Sequence, residues 1–118
     1  MESAFHPASW LNLAKIISSP MLRRMLEEDE SIAVVLFTGE WCPVCREFKP
    51  IWSRWTEGKS VPLFVVDVPR GGAEWKEWRI DEIPTVGAFS QGREVARVHG
   101  TITPDDLDGL LERIRIRV

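Results

Sequence analysis

Residues 32–48 read IAVVLFTGEWCPVCREF, and the fold turns on how this stretch is read. Ile32 to Phe37 is an unbroken apolar run, the pattern of a strand covered on both faces. The run stops at Thr38-Gly39. From Pro43 onward the pattern is helical, with Val44, Phe48, Ile51, Trp52 and Trp55 spaced for one buried face. Pro50 interrupts it, which predicts one kinked helix rather than two helices. Strand, then Cys42-Pro43-Val44-Cys45, then helix places both cysteines at a helix start just past a strand end.

Working outward, Ser19-Pro20 has the form of an N-cap followed by a first-turn proline, and Met21, Leu22, Met25 and Leu26 fall at helical spacing. A first helix over Pro20–Glu28 is expected, preceded by a short edge strand within 14–17. The first dozen residues carry no signal. Pro62 to Val68 is a second buried strand, and Gly71-Gly72 opens a short helix that runs through Trp78. Thr85–Phe89 and Glu94–Val98 flank Ser90-Gln91-Gly92-Arg93, an antiparallel hairpin with glycine in its turn. Thr103-Pro104-Asp105-Asp106 caps a closing helix with Leu107, Leu110, Leu111 and Ile114 on one face. The order is that of a three-layer α/β domain, a central mixed sheet flanked by helices with a C-terminal hairpin and helix. Residues 1–18 read as an extension and 19–118 as a single domain.

Composition narrows the function. The chain has 118 residues, 44% of them hydrophobic, enough for one core. Its 15 basic and 18 acidic side chains leave a net charge of -3, too balanced for a nucleic-acid or membrane footprint. The amino terminus lacks a basic start followed by an apolar run, so a soluble, cytoplasmic protein is expected; a monomer is the expected state.

Two residues between the cysteines put the sulfurs one helical turn apart, able to close a small disulfide or to face one ligand. Cys42 at the helix N-terminus meets unpaired N–H groups and the positive end of the dipole, which favour a thiolate and hence a nucleophile. Pro43 stiffens the turn without sacrificing a hydrogen bond, and Val44 adds no charge. Cys42 would exchange with a substrate disulfide through a mixed disulfide that Cys45 resolves. Zinc wants four ligands, and beyond the pair only His6 and His99 are on offer, far apart in sequence. A staple closing so small a loop restrains the unfolded chain little. Inert core thiols, and a dimer sharing metal between two pairs, are further alternatives.

The combination of Phe37, Trp41-Cys42-Pro43-Val44-Cys45-Arg46, Pro50 and Ile83-Pro84-Thr85 resembles the thioredoxin superfamily over about residues 19–116. That resemblance implies a thioredoxin fold and thiol-disulfide oxidoreductase activity without a cofactor, with protein disulfides as substrates and a thiol electron donor or acceptor as partner. It also implies a cis Ile83-Pro84 bond opposite the cysteines, Ile83 backbone for pairing a substrate strand, and Gly100 leaving room for that strand. Trp41 would line the same surface, and Gly92 matches the family's hairpin glycine. Two departures stand out. The buried acid of thioredoxins is replaced by Leu36, leaving Glu40 and Asp67 as the acids nearest in sequence or by strand. The dipeptide Pro43-Val44 is nearer the pattern of glutaredoxins, whose tyrosine is absent. A glutathione-linked activity and a peptide-binding module with redox-sensing or idle thiols are the rival readings.

Six tryptophans are many for this length. Trp52 and Trp55 fit the core. Trp75 and Trp78, one turn apart, form either a partner patch or, as large aromatics usually do, fold back onto the sheet. Arg113, Arg115 and Arg117 suit a helix C-terminus.

Overall fold

The computed structural model describes residues 15–28 and 32–117, with the side chains of 115–117 outside that description. His6, Ala14 and the side chains of Arg115 and Arg117 therefore lie outside the described residues. The elements in order are β1 (Lys15–Ile16), α1 (Ser19–Glu28), β2 (Ala33–Thr38), α2 (Pro43–Thr56), β3 (Leu63–Asp67), α3 (Glu74–Glu77), β4 (Thr85–Ser90), β5 (Arg93–His99) and α4 (Pro104–Arg117). The sheet runs β1-β3-β2-β4-β5. β2 pairs parallel with β3 and antiparallel with β4, so it is central and covered on both faces, as its apolar run requires.

Alternation along β2 sorts the core into two layers. Ala33, Val35 and Phe37 face Leu22 and Leu26 of α1 and Trp78 beyond α3. Val34 and Leu36 face Phe48, Trp52 and Trp55 of α2 and Leu107, Leu110, Leu111 and Ile114 of α4. Trp78 is thus core, with its indole N–H donating to Ser19 Oγ at 2.7 Å and its ring 5.6 Å from that of Phe37.

Local chemistry sets the element ends. Ser18, not Ser19, caps α1: its hydroxyl accepts from the Met21 N–H and its carbonyl from the Leu22 N–H. With two adjacent serines the sequence permits either cap. Ser19 instead is buried and holds Trp78 and Glu77. α2 continues through Pro50 as one helix. α3 is a single turn, shorter than the glycine pair suggested. Gln91 and Gly92, at φ 55° and 79°, form the two-residue turn joining β4 to β5. The hairpin carries a register shift at Ala88/Phe89, and the Val95 carbonyl at this irregularity accepts from Arg113. Arg113 therefore braces β5 instead of serving only the helix end. Thr103 Oγ1 accepts from the Asp106 N–H while Asp106 returns the bond to the Thr103 N–H, a reciprocal cap for α4.

Candidate active site

The site forms where β2 ends. Gly39 makes the turn out of the strand, its carbonyl accepting from the Cys42 N–H at 3.1 Å. A Cβ on Gly39 would lie 2.6 Å from the Trp41 indole nitrogen, so only glycine lets the ring lie across the turn. Cys42 is the N-cap of α2, in an extended conformation, and its Sγ accepts from the Cys45 N–H at 3.2 Å. Pro43 occupies the first helical turn. Arg46 donates to the Glu40 carbonyl at 2.7 Å and closes the loop from below.

The Ile83-Pro84 peptide bond is cis, and the Ile83 carbonyl accepts from the Cys42 thiol at 3.6 Å. Cys42 Sγ thus sits between a donor from its own helix and an acceptor from the loop before β4. Gly100, at φ 84°, donates its N–H to the Pro84 carbonyl at 3.0 Å. Beside it, His99 Nδ1 contacts a Glu82 carboxylate oxygen. On the other side Trp41 donates to the Val68 carbonyl at 3.0 Å and its ring lies 6.2 Å from that of Trp75, with the Arg70 guanidinium 4.9 Å over the Trp41 ring. Trp75 is half-buried against this wall, so it divides from Trp78 despite their spacing.

Cys45 lies one turn deeper, 3% exposed. Burial, reinforced by the neighbouring Cys42 thiol, pushes its thiol up to about 11. Hydrogen bonds from the Thr38 side chain and the Gly39 backbone oppose that rise. Both cysteines are free thiols. Leu36 is in register with Val65 on one side and Val86 on the other, so the face under Cys45 is apolar. A cleft of about 870 Å³ opens beside Cys45, lined by Leu36, Val65, Thr38, Asp67, Lys49 and Trp52 among others.

Of the expected site residues, Trp41 and Pro43 flank Cys42 in the chain, Ile83 meets its sulfur through the carbonyl, and Gly100 is tied to Pro84. Val44 departs from expectation: it is 42% exposed, not part of the buried face of α2. The buried stripe of α2 runs through Cys45, Phe48, Trp52 and Trp55, so Cys45 takes the inward position of the first turn and Val44 faces out. Among the described residues no three His, Cys, Asp or Glu side chains gather as metal ligands. Sequence reading missed Thr38, Arg70 and Glu82. Thr38 carried a signal, since it is the first polar residue after the apolar strand. Glu82 adjoins the Ile83-Pro84 step, and its pairing with His99 depends on hairpin register that the sequence leaves open.

A mixed five-stranded sheet with a dithiol at the head of a helix and a cis-proline loop against it defines a thioredoxin-fold dithiol protein. The Thioredoxin family profile matches residues 15–113, and the chain belongs to that family. It is 28% identical to a thioredoxin of Chlamydia pneumoniae over 102 residues, covering 86% of this chain and 98% of that one. It is 30% identical to Thioredoxin H5 of Arabidopsis thaliana over 74 residues, 62% of this chain and 63% of the relative. The chain spans less than two thirds of that relative, and 57% of the probable thioredoxin-2 of Caenorhabditis elegans. Among solved structures, the thioredoxin f2 complex with ferredoxin:thioredoxin reductase matches with a TM-score of 0.76 at 18% identity, over 89% of this chain and 97% of that one. A Halobacterium salinarum thioredoxin mutant matches at 0.72 and 20% identity, over 86% and 90%.

Proposed function

We propose that the chain is a thiol-disulfide oxidoreductase acting on protein disulfides, with Cys42 as nucleophile and Cys45 as resolving thiol. The observation that carries this reading is the placement of Cys42 Sγ between the Cys45 N–H and the Ile83 carbonyl, at the start of α2. The N–H stabilises charge on that sulfur as it attacks or leaves. Cys42 opens a substrate disulfide to give a mixed disulfide and a free substrate thiol. Cys45 then attacks Cys42, forming the intramolecular disulfide and releasing the second substrate thiol. Two electrons pass from the dithiol to the substrate, and a thiol reductant restores the pair.

The substrate segment lies against Ile83, between Trp41 and Val44 on one side and Gly100 on the other. A Cβ at Gly100 would meet the Glu82 carboxylate at 3.4 Å, and at φ 84° the position favours glycine. No organic cofactor enters the exchange, and the chain works as a monomer in a reducing, cytoplasmic setting. Insulin-disulfide reduction with dithiothreitol tests the reading beside Cys42→Ser. Turnover that vanishes in the variant supports it. A folded parent with two titratable thiols and no turnover overturns it, and persistent peptide binding by Cys42→Ser would then favour a binding module.

A further inference from the structure

Resolution of the mixed disulfide needs a thiolate at Cys45, and burial holds that thiol protonated. The face beneath it offers no acid, because Leu36 and Val65 are cross-strand partners in β2 and β3. The next residue on the same face of each strand is polar. Val34, Leu36 and Thr38 alternate along β2, as Leu63, Val65 and Asp67 do along β3, and the register pairs Thr38 with Asp67. Thr38, Asp67 and Cys45 all line one cleft.

We propose that Thr38 relays the Cys45 proton to the Asp67 carboxylate, so that the ends of β2 and β3 supply the base that their buried interior lacks. The inference rests on the oxidoreductase reading. In the mixed disulfide, the Cys45 S–H proton passes to Thr38 Oγ1 as the Thr38 hydroxyl proton passes to Asp67. Thr38 is left donating to the Cys45 thiolate. That thiolate attacks Cys42 Sγ, the Cys42–Cys45 bond forms, and the bond from Cys42 to the substrate sulfur breaks. The electron pair leaves with the substrate sulfur, which takes a proton from water. Asp67 is exposed and returns its proton to solvent.

The other charged groups lining the cleft are Glu40, Arg46 and Lys49, with the Cys42 thiol above. Arg46 is held on the Glu40 carbonyl and, like Lys49, is a cation with no basic site to offer. Glu40 is the rival acceptor, but it belongs to the loop above the thiols and has no register partner on the face that carries Thr38.

A chromogenic aromatic disulfide separates the two steps in rapid mixing. The first burst of aromatic thiolate reports attack by Cys42, and the second reports attack by Cys45 on the mixed disulfide. Thr38→Val, which keeps the shape and removes the hydroxyl, should slow the second phase about ten- to a hundredfold at neutral pH, the worth of one hydrogen bond to a charged sulfur. The rise of that phase with pH should move upward, the first phase should be unchanged, and Thr38→Ser should restore the parent profile. Asp67→Asn should slow the second phase in the same direction, and Glu40→Gln should not. Equal pH profiles for Thr38→Val and parent, or equal slowing of both phases, overturn the proposal. A parent-like second phase in Asp67→Asn, or a slowed one in Glu40→Gln, overturns the assignment of Asp67 as acceptor. A parent that shows no second phase at all overturns the oxidoreductase reading and this relay with it.

Discussion

Three glycines in this chain separate two costs that glycine substitutions usually confound. Gly92 closes the β4–β5 turn at φ 79°, and a Cβ there would lie 2.6 Å from the Leu26 carbonyl oxygen at the end of α1. Gly58 follows α2 at φ 76°, with nothing within 4 Å of the same position. Gly109 sits inside α4 with open space around it and no positive φ. Gly58→Ala therefore carries only the left-handed backbone cost, about 1 kcal/mol. Gly92→Ala carries that cost plus a contact with backbone that cannot rotate away. The hairpin tip or the end of α1 must shift, which adds about 1–3 kcal/mol by analogy with overpacked cores. The sum is about 2–4 kcal/mol, a large part of the stability of a domain this size. It corresponds to a fall in Tm of roughly 8–16 °C at about 4 °C per kcal/mol. Gly109→Ala removes backbone freedom from the unfolded chain and should stabilise by about 0.5–1 kcal/mol. Urea unfolding of the three variants, with slopes compared, is the assay. Gly92→Ala and Gly58→Ala within about 0.5 kcal/mol of each other would refute the claim that the hairpin tip is seated on α1. Because the turn lies at the opposite end of β5 from His99 and Gly100, disulfide exchange should survive in any Gly92→Ala protein that remains folded.

Two further outcomes follow from the burial pattern. Ser19→Ala should cost about 1–3 kcal/mol in urea unfolding, because it strands the buried Trp78 indole N–H that donates to Ser19 Oγ; a change below about 0.5 kcal/mol would mean that the indole finds another acceptor. The Cys45 thiol is raised in the folded state from 9.0 to about 11, so folding favours its neutral form. Its contribution is fully present below pH 9 and is lost as pH rises toward 11. The unfolding midpoint of the parent should therefore fall more steeply across that window than that of Cys45→Ala, and parallel curves would contradict the assignment.

Periodicity made the sheet and its two helical layers legible because each strand and helix has one dominant way to bury its apolar residues. β2 could only be central, since its run leaves no face for water, and α4 announced itself through its leucines and reciprocal cap. Periodicity also misled where an element outruns its partner. Val44 continues the α2 stripe in sequence but not in space, because Cys45 holds the inward position of that first turn. Trp75 and Trp78 are one turn apart, yet a single-turn helix lets one fall into the core and the other onto Trp41. The α1 cap was ambiguous by one residue, because Ser18 and Ser19 have the same chemistry and only Trp78 decides between them.

The dithiol was readable from spacing alone, but its surroundings depended on register. Leu36 is visible in the sequence as a missing acid. What replaces it is a consequence of two parallel strands being aligned so that Val65 faces Leu36 and Asp67 faces Thr38. The Leu36–Val65 pair packs the junction between sheet and α2, and the burial of Cys45 beside it suppresses the thiolate that the proposed resolving step requires. A carboxylate placed there would be as poorly solvated as the thiolate it was meant to assist. At the strand ends the two demands separate. Thr38 reaches the sulfur from inside the fold, while Asp67 is exposed to water. The boundary between the apolar and polar parts of β2 and β3 falls at the level of Cys45, and that coincidence makes the Thr38–Asp67 pair the place to look for the proton's way out.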